Sequence, residues 1–324
     1  MIYVDTGNES AARNFGTEYY FAAERIMDDD VFLFWRTRPT LMIGKYQNMY
    51  EEIDLPYARE RGIDVVRRLS GGGTIFTDRG SFQYSFIGRG GREIDFSEYM
   101  EPVCTALRRL GIRAERDGRN DITADGRKIS GNAQYKAAGR TVHHGSLLFS
   151  ADIGEMERAT RLPDYKISSK SIKSVRSRVA NISELLPSPM SPEEFAEYMI
   201  GELSSGNVLT PSDDERRRIG ELSAELFPEL SAGRVEGAPP FDFEETMRFG
   251  GGTVIIGLTV RRGTVTEASV RGDFFSADGT DTLVKCLCGT EFSREPLRET
   301  IERSGFGALG ITASELAERF CEHL

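Results

Sequence analysis

Three consecutive glycines, Gly71-Gly72-Gly73, stand between two β-forming runs, and no other feature restricts the fold of this 324-residue chain as much. The stretch reads Arg67-Arg68-Leu69-Ser70-Gly71-Gly72-Gly73-Thr74-Ile75-Phe76. Such a triplet lets the backbone turn tightly and bring several N–H groups to one side, a concavity suited to an anion. Arg68 and Ser70 add a charged fork and a hydroxyl to its rim. The pattern is neither GxxxxGK[ST] nor a GxGxxG opening a helix, so P-loop and dinucleotide folds are not indicated. A glycine-rich turn with solvated arginines is the competing reading, and spacing alone leaves both open.

Any such anion is bound locally, because the net charge of −10 argues against DNA or RNA as a bulk partner. No run approaches the ~20 apolar residues that span a bilayer. Met1 to Asp5 lacks the basic and apolar segments of a signal peptide. The four cysteines, Cys104, Cys286, Cys288 and Cys321, have no metal-ligand spacing. A reduced cytoplasmic protein without membrane or nucleic-acid partners is expected.

The length favours two domains over one. Phe15 to Met27 reads as a helix, and Val31–Arg36, Thr40–Ile43, Ile63–Arg67, Gly73–Thr77 and Ser81–Ile87 as short strands. Glu98 to Leu110 has helical periodicity and ends at Gly111. Asp125-Gly126 predicts a hairpin between Asp121–Thr123 and Lys128–Ile129, with a further strand over Val142–Phe149. Helices follow over Glu193–Leu203 and Asp213–Leu226. Ser231–Pro240, with two glycines and a closing Pro-Pro, reads as a linker. Beyond it, Thr253–Val260 and Thr264–Val270 form a hairpin around Arg261-Arg262-Gly263. The expected class is α/β (α+β): a large domain (1–230) with a mixed, mostly antiparallel sheet and surrounding helices, a linker (231–240), and a small C-terminal α+β domain (241–324).

Further clusters carry chemistry. In Gly118-Arg119-Asn120-Asp121 and Gly126-Arg127-Lys128-Ile129-Ser130-Gly131-Asn132-Ala133, the hairpin brings Asp121 and Lys128 onto neighbouring strands. A carboxylate that holds Mg²⁺ beside an ammonium that stabilises developing charge is what phosphate chemistry without a Walker loop requires. A cross-strand salt bridge is the plainer alternative. His143 and His144 are adjacent on a strand, so only one can face a pocket with Lys128; His143 reads as a structural histidine of the core or the surface. Lys166 to Arg178 holds Lys166, Lys170, Lys173, Arg176 and Arg178 among serines with no acid, which suits a loop that closes over phosphates. All four cysteines read as packing residues rather than nucleophiles.

In this order and spacing the segments "RRLSGGGTIF", "GRNDI", "GRKISGNA", "HHGSLLF" and "KSIKSVRSRVANISELLP" resemble the lipoate–protein ligase A family, within the biotin/lipoate ligase superfamily. "RFGGGTVIIGLTVRRGTVTEASVRGDFF" resembles the start of its C-terminal accessory domain. The resemblance covers nearly the whole chain and implies ATP-dependent activation of lipoate to lipoyl-AMP, then transfer to an acceptor lysine. It implies a nucleotide site at Arg68, Gly73, Thr74, Ile75, Phe76, Asn120, Lys128, Lys173, Ser174 and Arg178. It implies a lipoyl pocket at Ser70, Gly71, Gly72, Lys128, Ala133, His144 and Gly145. Lys128 becomes the catalytic residue, touching carboxyl and α-phosphate, and Asp121 the Mg²⁺ ligand. Partners would be lipoic acid, with octanoate as an alternative, and an H protein or an E2 lipoyl domain. Thr77, Ser171 and Ala180 depart from the family's usual His, Gly and Thr. Biotin ligases resemble this chain less, since they carry a GRGRxGR-type loop. Cysteine-dependent octanoyl and amidotransferases require a thiol that these motifs lack. A lipoyltransferase that takes only preformed lipoyl-AMP and a non-catalytic lipoyl binder are the remaining alternatives.

Overall fold

A computed structural model of the chain describes residues 1–7, 10–89, 94–161, 175–228, 241–322 and 324. It divides into two compact units: Met1–Ile43, Glu51–Leu69 and Thr74–Gly233 form the first, and Gly44–Tyr50, Ser70–Gly73 and Arg234–Leu324 the second. Among the described residues no helix is long and apolar enough to cross a membrane.

The first unit begins with β1 (Ile2–Val4), α1 (Ala11–Tyr19), β2 (Val31–Trp35) and β3 (Thr40–Ile43). After α2 (Met49–Glu52) and α3 (Leu55–Glu60) come β4 (Asp64–Arg67), β5 (Ile75–Thr77), β6 (Ser81–Arg89) and α4 (Ser97–Arg109). Next are β7 (Ala114–Asp117), β8 (Asp121–Ala124), β9 (Arg127–Ala137), β10 (Arg140–Leu148), α5 (Ile153–Ala159) and α6 (Val175–Arg178). The unit closes with α7 (Pro192–Leu203), β11 (Val208–Leu209) and α8 (Asp213–Leu226).

Eight strands form one sheet in the order β11-β1-β2-β6-β10-β9-β8-β7, and β4-β3-β5 form a smaller one. In the large sheet β1 pairs in parallel with β2 and β11, while the other neighbours are antiparallel. Alternation sorts the side chains into two cores. Val31, Leu33 and Trp35 share one with Phe15 of α1 and Phe227. Phe32 and Phe34 point the other way, where Phe34 and Phe82 stack at 4.9 Å and Phe82 meets Phe195 of α7 at 5.4 Å. Both faces are therefore covered, which explains why β6 and β10 are buried along nearly their whole length.

The second unit contains β12 (Phe243–Phe249), β13 (Gly252–Arg261) and β14 (Thr264–Gly272), an antiparallel sheet in that order. Helices α9 (Asp281–Leu287), α10 (Arg294–Arg303) and α11 (Ala313–Cys321) bury Leu287, Leu297, Ile301 and Phe320 with Val254, Ile256 and Leu258. Tyr46 joins this core and stacks on Phe274 at 4.7 Å. Arg262 (φ 53°) and Gly263 (φ 76°) make the expected turn between β13 and β14.

Capping explains several boundaries. Ser191, Ser212 and Thr312 each form a reciprocal capping box with the glutamate three residues on. Ser10 accepts from the Arg13 N–H, so α1 starts four residues before the apolar periodicity does, and it continues into a π-helical turn over Tyr20–Glu24. Ala138 (φ 48°) and Gly139 (φ 78°) form a second tight hairpin, which carries β9 well beyond Lys128–Ile129 and starts β10 at Arg140 rather than Val142.

Candidate active site

The β8–β9 hairpin turns on Asp125 (φ 51°) and Gly126 (φ 71°), both left-handed as a two-residue turn of this hand requires. Thr123 lies opposite Lys128, and Asp121 opposite Gly131. The pairing shifts between Ile122 and Thr123, so one residue of β9, Ile129, is extra. This bulge decides which way the chemistry faces. Gly131 pairs toward Ser146, and Ala133 lies opposite His144. Were these same residues paired without the bulge, Asp121 would oppose Ser130, and the hairpin's functional side chains would face away from His144. With it, Asp121, Lys128, Ala133 and His144 share one face, here called the front.

On that face Lys128 Nζ lies 2.7 Å from Asp121 Oδ1, with side chains 37% and 35% exposed. A half-exposed pair contributes under about 1 kcal/mol, so its value lies in placing charge rather than in holding the fold. A Cβ at Gly131 would sit 3.0 Å from Lys128 Nζ and 3.1 Å from its Cε. Gly131 thus clears the space in which the ammonium rests.

His144 Nδ1 faces Glu18 Oε2 at 3.1 Å, and the Ser85 hydroxyl donates to Glu18 Oε1. The Glu18 side chain is fully buried. Its two polar neighbours satisfy a charge that would otherwise be costly inside the fold. Tyr135 stands beside them, its hydroxyl buried without a hydrogen-bond partner. Burial, and then the nearby Glu18 charge, push that phenol well above its ordinary range, so it stays a neutral donor. Glu18 was not anticipated from sequence; its only signal was an acid at a helical position otherwise spaced for packing.

Arg68 is buried, and its Nη1 donates to the Met42 carbonyl at 2.9 Å. Burial, reinforced by Arg67, lowers its guanidinium to about 10, so it keeps its charge at neutral pH. Thr74 follows in the first unit, with Ile75 and Phe76 in β5. Ser70, Gly71, Gly72 and Gly73 belong to the second unit. There the Gly72 N–H (φ 87°) donates to the Phe274 carbonyl at 3.3 Å, and a Cβ at Gly71 would lie 2.2 Å from that oxygen. A Cβ at Gly73 would meet nothing within 4 Å, so crowding does not explain that glycine.

Arg178 ends α6 and is exposed. Val179 bridges to Lys128, and the Ala180 N–H donates to the Lys128 carbonyl at 2.9 Å, which brings the end of the basic segment beside the lysine. Lys166, Lys170, Lys173 and Ser174 lie outside the described residues, as does the 231–240 linker.

Asn120, His143 and Gly145 belong to the opposite side. The Asn120 Nδ2 donates to the Asn132 carbonyl at 2.6 Å. Gly145 leaves room for Tyr84 and Asn132, each within 2.5 Å of where a Cβ would be. His143 is fully buried, and burial, then the neighbouring His144, push its imidazole well below the usual histidine range. Cys104 is buried, and its thiol is pushed up to about 11. Among the described residues no group of three or more His, Cys, Asp or Glu could hold a metal ion. Mg²⁺ needs only one or two carboxylates when phosphates supply the remaining oxygens, and Asp121 fits that lesser role.

A sequence model described as the lipoyl protein ligase A/B catalytic domain matches residues 10–204. A second, the bacterial lipoate protein ligase C-terminus, matches residues 238–320. The chain is 38% identical over 315 residues to the lipoate-protein ligase LplJ of Bacillus subtilis, covering 93% of this chain and 94% of that protein. Its fold resembles that of P. falciparum LipL1 in complex with lipoate (TM-score 0.78, 18% identity, 100% of this chain and 98% of that one). It also resembles a lipoate-protein ligase A bound with ATP (TM-score 0.57, 22% identity, 69% and 93%).

Proposed function

Since this chain belongs to the lipoate–protein ligase family, we propose that it activates lipoate with ATP and transfers the lipoyl group to a lysine of an acceptor protein. The observation that carries the reading is the Lys128–Asp121 pair, half-exposed on the face it shares with Ala133 and His144.

The lipoate carboxylate attacks the α-phosphate of ATP, forming lipoyl-AMP and releasing pyrophosphate. Two anions meet in that step, and the Lys128 ammonium offsets their repulsion. Arg68, charged although buried, adds to the positive field on the nucleotide side, with Thr74, Ile75 and Phe76 following it in sequence. Asp121 would hold Mg²⁺ on its carboxylate, and the ion would draw charge from the phosphate oxygens. Gly73 would contact the nucleotide, for which the open space beside it is the supporting feature, and Ser70, Gly71 and Gly72 would contact the lipoyl group. Lys173, Ser174 and Arg178 would contact the nucleotide; Val179, bridged to Lys128, supports that role for Arg178. Ala133, His144 and Gly145 would contribute to the lipoyl pocket, the first two from the front face.

In the second step the acceptor's lysine amine attacks the acyl carbon and AMP leaves. The mixed anhydride already has a good leaving group, so no enzyme nucleophile is needed, in keeping with a Cys104 thiol that burial holds protonated. The acceptor is a lipoyl domain of the H-protein or E2 type, and the reactions belong in the cytoplasm.

Pyrophosphate release from ATP and lipoate, measured with and without acceptor, tests this. Release without acceptor is expected, and Lys128→Ala should lower it on the order of 10²–10³-fold with the fold intact. No pyrophosphate release from ATP, with lipoyl transfer seen only when preformed lipoyl-AMP is supplied, or a Lys128→Ala rate within about tenfold of wild type, would overturn the assignment.

A further inference from the structure

Behind the front face lies a chain of buried amides and one imidazole whose hydrogen-bond polarity can be followed end to end. It starts at Asp95, whose backbone N–H donates to Gln134 Oε1 at 3.1 Å while its carbonyl accepts from Gln134 Nε2. These contacts fix the orientation of the Gln134 amide. The same Nε2 lies 3.0 Å from His143 Nδ1, and since an amide nitrogen only donates, Nδ1 must be the bare nitrogen. The ring proton therefore sits on Nε2, which donates to Asn132 Oδ1 at 3.0 Å. The Tyr84 hydroxyl donates to the same oxygen.

With its oxygen committed, Asn132 must turn Nδ2 toward the Asn120 carbonyl at 3.1 Å, where its backbone N–H also donates at 2.8 Å. Asn120 Nδ2 returns a bond to the Asn132 carbonyl. Two asparagines thus clamp the start of β8 to β9 reciprocally. Asp121 is the next residue after Asn120, and Gly131, against which Lys128 rests, is the one before Asn132. The tautomer of His143 thereby determines whether the strand edge carrying both charges is held in register. Tyr99 stacks on the imidazole at 4.9 Å and 14°, which locks the ring plane. Gly145 supplies the room in which Tyr84 and Asn132 meet.

We propose that His143 and Asn132 are positioning residues for adenylate formation: the relay Asp95–Gln134–His143–Asn132–Asn120 sets the placement of Asp121 and Lys128 from the reverse side of the sheet. The proposal rests on the ligase reading for its kinetics, but the placement itself has a readout of its own.

The test uses the full chain with Asn132→Asp, His143→Phe, His143→Gln and the double variant Asn132→Asp/His143→Phe. Asn132→Asp keeps the shape and replaces the donor facing the Asn120 carbonyl with an acceptor. Both Asn132→Asp and His143→Phe should lower kcat for pyrophosphate release about 30- to 100-fold, the scale of an ångström-sized misplacement. The KM for lipoate should stay within about threefold. His143→Gln can still donate to Asn132 Oδ1 and should retain kcat within about fivefold. The double variant should be no worse than Asn132→Asp by more than about threefold, because one relay broken twice is still one broken relay. Separately, acetic anhydride should label Lys128 at least about threefold faster in Asn132→Asp and His143→Phe, read by mass spectrometry, as the Asp121 contact loosens. Unchanged labelling, multiplicative kcat losses, or equal kcat for His143→Phe and His143→Gln would overturn the proposal. If Asn132→Asp fails to fold, the Phe and Gln variants of His143 decide. If the wild type releases no pyrophosphate, the ligase reading falls while the labelling still judges the relay.

Discussion

Replacing Gly131 with alanine separates charge placement from stability more cleanly than removing a charged group does. Gly131 has no left-handed backbone angle, so alanine is conformationally permitted there. The added Cβ would lie 3.0 Å from Lys128 Nζ, 3.1 Å from Cε and 3.9 Å from Asp121 Oδ1. Heavy atoms settle about 3.5–4.0 Å apart, so the ammonium must retreat by roughly 0.5–1 Å. The side chain is partly exposed and flexible, and it can do so at little cost. Losing the 2.7 Å contact removes an ion pair worth under about 1 kcal/mol, and a shift in Tm within about 3 °C follows. Catalysis is less tolerant: a displacement near 1 Å can cost about 100-fold in rate. Gly131→Ala should therefore fold and melt like wild type while its kcat for lipoate-dependent pyrophosphate release falls about 10- to 100-fold. Differential scanning calorimetry beside a pyrophosphate assay reads both quantities. A well-folded variant with wild-type kcat would show that the Lys128 position is not what the reaction requires.

A fully buried, neutral His143 also makes stability depend on pH. Its folded pKa lies well below the 6.5 it takes in the unfolded chain, so its contribution is complete above about 6.5 and drains as pH falls below that value, because only the unfolded state gains the proton. The slope from this one group approaches about 1.4 kcal/mol per pH unit, and urea midpoints between pH 7.5 and 5 should fall less steeply for His143→Gln than for wild type; parallel curves would contradict the burial argument. The cysteines should be dispensable. At pH 8 a thiol reagent should modify exposed Cys288 and spare Cys104, whose thiol titrates near 11, and replacing Cys104, Cys286, Cys288 and Cys321 with Ala or Ser should leave ligation largely intact. A trapped acyl thioester would point to the cysteine-dependent transferases instead.

What could be read beforehand was local. Asp125-Gly126 announces a hairpin because few residues adopt left-handed angles, and that hairpin was enough to pair Asp121 with Lys128. Helices were expected over Glu193–Leu203 and Asp213–Leu226, and Ser191 and Ser212 fix where α7 and α8 begin by capping their free N–H groups. Glu18 was illegible because its partners, Ser85 and His144, come from strands far away in the chain. His143, expected as a structural histidine of the core or the surface, is fully buried. Its function as a directional link depends on Gln134 and Asn132 across a strand pair, which no spacing rule reveals. The start of α1 moved because Ser10 caps it ahead of the first periodic apolar residue. Strands β7 and β12 escaped notice because charge interrupts them, and each is held by pairing with its neighbour rather than by its own alternation.

The unpaired Ile129 in β9 makes the length of this stretch a matter of parity. Insertions and deletions are usually tolerated beside a surface hairpin, where a turn absorbs them. Here Lys128 and Gly131 stand three residues apart, an odd spacing that regular alternation would put on opposite faces, and the bulge at Ile129 returns them to one face. Were the same residues paired without the bulge, the ammonium and carboxylate would face the buried amides instead of His144. A chain lacking both Ile129 and the bulge would keep Asp121 opposite Gly131 and present the same side of the strand to the substrate. In comparing relatives, the spacing from this lysine to the following glycine is therefore as informative as the lysine itself.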